Sequence, residues 1–248
     1  MRIVVAGATG ALGTQVVDAV RAAGHEPIPL SRSTGTDLRS GAGLEDALRG
    51  ASAVIDASST RDMSAKGSVE FFSTVTRNLL AAEQAAGVGH HVAISIIGAA
   101  SVDANYYAGK AAQEALLKSQ PSGWSLLRTT QFHEFAGQVA GQGRLGPLHV
   151  VPAMRSQPVS STEVAADLVE IATGAPRGIA PDLAGPQEER LADQVRRLLA
   201  VTGPRRRVLE VPLPGAWGRA MRDGSLLPAP GARRGQQTYG RWLATQTR

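Results

Sequence analysis

Residues 2–13 read RIVVAGATGALG, a short apolar run that gives way to three glycines, Gly7, Gly10 and Gly13. The next residues, ALGTQVVDAVRAAG, place Leu12, Val16, Val17 and Val20 at helical spacing and stop at Gly24. The spacing predicts strand, tight turn and helix, the opening of a βαβ unit. Each glycine answers a separate need: a tight turn, close approach of backbone to a pyrophosphate, and close packing of helix on strand. A helix starting there offers free N–H groups and the positive end of its dipole to phosphates. Glycine-rich turns are common, so the strand, turn and helix context is what makes this one point to a nucleotide.

Outward from this unit the rhythm repeats. EPIPL reads as a second strand, weakened by its prolines. GLEDALRG reads as a short helix, SAVIDAS as a strand, residues 64–86 as a long helix, HHVAISIIG as a strand, YYAGKAAQEALLKS as a helix and GWSLLRTT as a strand. This order predicts an α/β fold, a Rossmann-like doubly wound parallel sheet over residues 1–130. Beyond it, QFHEFAGQVAG, LHVV, SSTEVAADLVEIATG, EERLADQVRRLLAVTG and YGRWLATQ suggest helices and one strand with no earlier counterpart. Residues 131–248 are therefore expected to form a small C-terminal substrate lobe packed on the carboxyl edge of the sheet, one structural unit with the core.

Composition narrows the function classes. With 248 residues, 43% apolar and 19% charged, the chain can bury a core and lacks the profile of a disordered protein. The absence of cysteine excludes disulfides, thiolate metal sites and a cysteine nucleophile. No run approaches a membrane span, and the N-terminus lacks a signal-peptide core, so a cytoplasmic protein is expected. The net charge of +5 gathers late, at Arg205 to Arg207 and at Arg233 and Arg234. Short arginine clusters beside proline and glycine read as solvated loops rather than a nucleic-acid surface. Only Lys66, Lys110 and Lys118 are lysines among 26 basic residues, so a lysine at 110 is unexpected.

Two further stretches carry chemistry. After the second strand comes LSRS, with Ser31, Arg32 and Ser33 and no carboxylate. An acid there would hold a ribose 2′-hydroxyl, whereas a guanidinium flanked by hydroxyls suits a 2′-phosphate, so NADP(H) is favoured over NAD(H). In NYYAGKAAQE, Tyr106 and Lys110 lie four apart, on one face of a helix. An ammonium beside a phenol lowers its pKa toward the range useful for proton transfer. The alternative is ordinary packing, with Tyr106 and Tyr107 as core aromatics and Lys110 on the surface. Tyr107, His133 and Phe135 are candidates for the substrate pocket. His90 and His91 read as a surface turn between helix and strand, and Trp217, Met221 and Trp242 as core of the late lobe. No histidine pair has zinc-like spacing.

These motifs, GATGALG, TDLRS, DASS, SIIG and YYAGKAAQE in this order over residues 1 to about 135, resemble the atypical short-chain dehydrogenase/reductase superfamily, in its NmrA-like NAD(P)H-binding branch. The resemblance implies that Gly7, Thr9, Gly10, Ala11, Leu12 and Gly13 line the pyrophosphate, that Arg32 reads the 2′-phosphate with Ser31 and Ser33, and that Asp37 and Leu38 border adenine. Ala57, Ser58 and Ser59 would follow the cofactor, and Thr129, Thr130, Gln131 and Phe132 would lie near nicotinamide. Lys110 would hold the nicotinamide ribose, Tyr106 would donate the proton and Ser95 would polarise the substrate oxygen. The activity implied is NADP(H)-dependent reduction of a small carbonyl, quinone or enone. The alternatives are a cofactor-sensing regulatory protein without turnover and a sugar-nucleotide epimerase-like enzyme. The expected partner is a small-molecule substrate, with a homodimer left open.

Overall fold

Ile3, Val4, Val5 and Ala6 have no exposed surface, so the strand they form, β1 (Arg2–Ala6), is covered on both faces. This is the environment of a central strand in a parallel sheet flanked by helices. The computed structural model describes residues 1–102, 104–203 and 206–246. After β1 come α1 (Ala11–Ala22), β2 (Glu26–Leu30), α2 (Leu44–Leu48), β3 (Ala53–Asp56), α3 (Ala65–Ala86), β4 (His91–Ile96), α4 (Asn105–Lys118) and β5 (Trp124–Thr129). Then follow α5 (Phe135–Gln142), β6 (Arg144–Leu145), β7 (Leu148–Pro152), β8 (Arg155–Ser156), α6 (Ser161–Thr173), β9 (Gly178–Ile179), β10 (Leu183–Ala184) and β11 (Glu189–Arg190). The last are α7 (Leu191–Thr202), β12 (Arg207–Val211), α8 (Gly215–Asp223), β13 (Arg233–Arg234) and α9 (Tyr239–Ala244).

Residues 1–128 and 161–181 make one compact unit, and residues 129–160 and 182–248 a second. A single cut at residue 130 therefore does not describe the chain. The reason is α6, which returns to pack along α1. In the first unit the strands lie in the order β2-β1-β3-β4-β5, with β9 beside β5. The pairings β1 with β2, β1 with β3 and β3 with β4 are parallel, and the helices pack as α3 on α4 and α1 on α6. The chain goes from β1 outward to β2 and then back to β3 on the other side. That reversal is the topological switch point at which open α/β sheets bind ligands.

The prolines of β2 fit its place at the border of the sheet. Glu26 N–H donates to Met1 O over 2.9 Å, and Ile3 and Val5 stand in register with Pro27 and Pro29. In a parallel ladder alternate residues address the neighbour. Residues 26, 28 and 30 thus bond to β1, while Pro27 and Pro29 fall where the amides face away.

The second unit contains parallel β12 and β7 with antiparallel β6, the antiparallel pair β8 and β11, and parallel β10 and β13. Two readings from sequence need correction. His90 and His91 are buried, not a surface turn. His91 Nδ1 lies 2.7 Å from Glu83 Oε1 and His90 Nε2 lies 2.8 Å from Ser125 Oγ. Burial works against a charged His91, yet the Glu83 carboxylate holds its pKa above the ordinary imidazole value. Arg207 opens β12 and Arg233 and Arg234 form β13, so these arginines are not all in loops; Arg205 lies outside the described residues. Among the described residues no helix is long and apolar enough to cross a membrane, and no cluster of His, Asp or Glu could hold a metal.

Where α3 meets α4 the backbones nearly touch. A Cβ on Gly109 would lie 2.6 Å from Ser68 O and 2.7 Å from Phe72 Cδ2. Gly109→Ala should therefore cost about 1–3 kcal/mol, the usual range for overpacking. Gly141→Ala, on α5 where nothing lies within 4 Å, should be neutral or stabilising by up to about 1 kcal/mol. Urea unfolding of the two variants beside the parent checks the contrast.

Candidate nucleotide and proton-transfer site

The turn after β1 is built by backbone contact. Gly7 has φ +76°, and a Cβ there would meet Ala57 O and Ser58 Cα, both at 2.8 Å. Gly13 lies closer still to the turn: its Cβ would be 2.0 Å from Gly7 O. Gly10 precedes α1 as its N-cap, donates to Gly7 O over 2.9 Å and leaves the helix without a side-chain cap. Thr9, Gly10 and Ala11 are exposed while Leu12 and Gly13 are buried. The hydroxyl of Ser58, buried just beyond β3, has no hydrogen-bond partner among the described residues. An uncapped helix start, a cradle that side chains would fill and an orphaned hydroxyl fit a phosphate-bearing nucleotide.

At the end of β2 the chain makes one 3₁₀ turn over Arg32–Thr34. Ser31 N–H donates to Thr34 Oγ1 over 3.0 Å, and the Ser31 and Ser33 hydroxyls lie 2.8 Å apart. Arg32 is exposed and, among the described residues, forms no ion pair. Asp37 accepts from Arg39 N–H over 2.8 Å, and the Leu38 carbonyl accepts from Asn78 Nδ2 over 2.9 Å.

Tyr106 stands at the start of α4. Asn105, just before it, has φ +51°, a left-handed conformation asparagine tolerates better than most residues. The Asn105 carbonyl accepts from Ser68 Oγ over 2.9 Å, which ties this strained turn to α3. The Tyr106 ring meets Phe72 edge-on at 5.2 Å, and its hydroxyl lies 3.0 Å from Ser59 Oγ. The structure thus brings Tyr106 to Ser59, one of the residues expected around the cofactor. Tyr107 is buried, 7% exposed against the partly exposed Tyr106.

Lys110 and Ser95 depart from expectation. Lys110 is buried; its Nζ donates to Ile94 O and Gln113 Oε1, each over 2.9 Å, and sits 4.1 Å from the Phe72 ring centroid. No hydrogen bond among the described residues joins it to Tyr106. Burial pulls its pKa down to about 8, against the opposing pull of Asp56 and Glu114. The phenol of Tyr106 is not lowered but pushed up to about 12: burial raises it, the Ser59 hydrogen bond lowers it and the charge of Asp56 raises it. Ser95 is fully buried and donates to Glu114 Oε1 over 2.8 Å. Glu114 also accepts from Arg128 and Lys118, and these bonds outweigh burial to hold its pKa below the ordinary value. Ser95 therefore belongs to an internal charge network rather than to an open reaction site.

The remaining expected residues lie in the second unit and are engaged there. Thr129 is in register with Leu183. The Thr130 hydroxyl donates to Gln157 O, Gln131 O accepts from Val159 N–H over 2.9 Å, and Phe132 forms a parallel bridge with Val159. His133 is fully buried, with Nε2 3.1 Å from Gln237 O and its ring 5.7 Å from those of Tyr239 and Trp242. Phe135 opens α5.

Sequence reading missed Phe72, Gln113 and the part played by Asp56. Two signals were available: Gln113 follows Lys110 by three positions, on the same helix face, and Asp56 is the one charged residue in the otherwise apolar β3, AVID.

A protein family described as NAD(P)H-binding matches residues 7–174. The chain belongs to this NAD(P)H-binding family. None of the curated proteins matches the sequence significantly. Among solved structures, the chain resembles an NADPH-dependent quinone oxidoreductase from Escherichia coli complexed with NADPH, at 18% identity, a TM-score of 0.69 and 99% coverage of each chain. It also resembles the UDP-N-acetylglucosamine 4-epimerase from Bacillus cereus, at 16% identity and a TM-score of 0.71, over 99% of this chain and 96% of that one. A short-chain dehydrogenase/reductase superfamily protein from Agrobacterium tumefaciens with bound NAD shares 19% identity at a TM-score of 0.68, over 99% and 95% of the two chains. At these identities the likeness establishes a shared Rossmann-like fold.

The turn geometry separates two glycines. A Cβ on Gly10 meets only Gly7 O, at 3.2 Å, so Gly10→Val should keep native circular dichroism while its side chain obstructs the phosphates and NADPH binding falls below detection in calorimetry. Gly13→Ala should instead lower stability by about 1–3 kcal/mol or more through overpacking. Full NADPH affinity in Gly10→Val would reduce the loop to a structural turn.

Proposed function

We propose that the protein is an NADP(H)-dependent reductase of a small carbonyl, quinone or enone. The observation that carries this reading is the Tyr106 hydroxyl, 3.0 Å from Ser59 Oγ just beyond β3, the strand whose end packs against the glycine turn. The bound nucleotide would supply hydride. Arg32, without an ion-pair partner among the described residues and flanked by Ser31 and Ser33, would hold a 2′-phosphate by charge-assisted hydrogen bonds. Ser58 would give its unused hydroxyl to the nucleotide. Tyr106 would donate a proton to the substrate oxygen and recover it through Ser59, which is exposed to solvent. A phenol held near 12 keeps its proton at neutral pH, the state required of an acid in reduction; oxidation would need the phenolate.

One observation favours a second reading, a cofactor sensor without turnover: Lys110 is bonded to internal partners and not to Tyr106. Two measurements decide. Arg32→Ala should weaken NADPH binding by about 10-fold to 100-fold, the equivalent of 1.5–3 kcal/mol for bonds to a charged group, and leave NADH binding nearly unchanged. Equal losses for both in calorimetry overturn the NADP(H) preference. Tyr106→Phe should keep NADPH affinity and lower turnover by about 10²–10⁴-fold on a panel of quinones, enones and ketones. Normal turnover in that variant removes Tyr106 as the acid, and NADPH binding without turnover of any panel member by the parent favours the sensor.

A further inference from the structure

Asp56 and Lys110 are both charged and buried, at 0% and 3% exposure. Neither touches an ion of opposite sign among the described residues. Asp56 Oδ1 accepts from Ser58 N–H over 2.9 Å, and Oδ2 accepts from Gln113 Nε2 over 2.8 Å. The Lys110 ammonium rests on Ile94 O, Gln113 Oε1 and the face of Phe72. Isolated buried charges are costly, and each needs the other's field or a well-oriented dipole. Gln113 is the group that touches both. Its amide can take one orientation only, NH₂ toward the carboxylate and oxygen toward the ammonium, because the reverse would set donor against donor and acceptor against acceptor.

The other titratable groups around Lys110 have partners of their own. Glu114, on the same helix, is held by Arg128, Lys118 and Ser95. Tyr106 is bonded to Ser59, and on the neighbouring strand His91 is held by Glu83. Asp56 touches no cation among the described residues, and its field, ahead of that of Glu114, favours the charge on Lys110.

We infer that Gln113 is a positioning residue for Lys110, with its amide coupling the buried carboxylate of Asp56 to the ammonium and holding that ammonium charged and in one place. The inference rests on the NAD(P)H-binding reading above together with the expectation, carried by the family resemblance, that Lys110 holds the nicotinamide ribose. Without the bridge, Lys110 would lose an acceptor and the field of an oriented dipole, and would release its proton at lower pH.

With only three lysines in the chain, the titration can be followed directly in ¹³C-lysine-labelled protein by NMR, with Lys66→Arg and Lys118→Arg to assign the signals. Lys110 should titrate near pH 8 in the parent. Gln113→Met, which keeps length and removes both hydrogen bonds, and the isosteric Asp56→Asn should each lower the midpoint by about one pH unit or more. The alkaline limb of NADPH affinity should move by the same amount. In the parent, the side-chain ¹⁵N signal of Gln113 should titrate with the Lys110 midpoint, a measurement that needs no variant to fold. A Gln113 signal indifferent to that midpoint, or a folded variant with an unchanged Lys110 titration, overturns the inference. Failure to oxidise NADPH with any substrate would count against the reductase alone, since the Lys110 titration does not depend on turnover.

Discussion

A Cβ on Gly13 would lie 2.0 Å from the Gly7 carbonyl oxygen, and one on Gly7 would lie 2.8 Å from the backbone of Ala57 and Ser58. Three segments, the end of β1, the start of α1 and the end of β3, are thus pressed together with no side chain between them. The uncapped start of α1 and the hydroxyls of Ser58 and Ser59 are gathered at one switch point by this contact. The rest of the site is attached to it in steps. Ser59 meets Tyr106, and Tyr106 is held by a turn tied to Ser68 and by the ring of Phe72. A third missing Cβ, at Gly109, lets α4 come close enough to α3 for those contacts to form.

The first unit was legible because its strands and helices are long enough to show their period, and because glycine turns punctuate them. Even EPIPL proved a strand. Beyond residue 129 legibility fell. β6, β8, β9, β10, β11 and β13 are two residues long, too short for any alternation, and α8 starts without a side-chain cap. The return of α6 to the first unit depends on the contact with α1, which pattern cannot show. At the site, local sequence told which residue types were present but not where they point. Ser95 alternates onto the face of β4 where Glu114 lies, and His90 and His91 disappear into polar partners distant in sequence. The spacing of Tyr106 and Lys110 was read correctly as one helix face, but a face is wide enough for one side chain to reach Ser59 and the other to turn inward to Ile94 and Gln113.

This divergence changes the expected electrostatics. A phenol next to an ammonium becomes more acidic; a phenol next to a serine, in a partly dry site facing the field of Asp56, does not. Tyr106 and Lys110 share Phe72 as a neighbour, one ring edge-on and one ammonium above the face. Their coupling in this structure runs through packing and a common carboxylate rather than through direct contact. At neutral pH both groups carry their protons.

The two prolines of β2 have a consequence outside the molecule's own chemistry. A border strand normally presents a row of amide donors and carbonyl acceptors that another extended chain can zip onto. Here Pro27 and Pro29 occupy outward positions, so a visiting strand would find acceptors without the matching donors. Residues that weaken the strand as a pattern make the border unreceptive to strand addition, and protect the sheet from edge-to-edge self-association in a crowded solution.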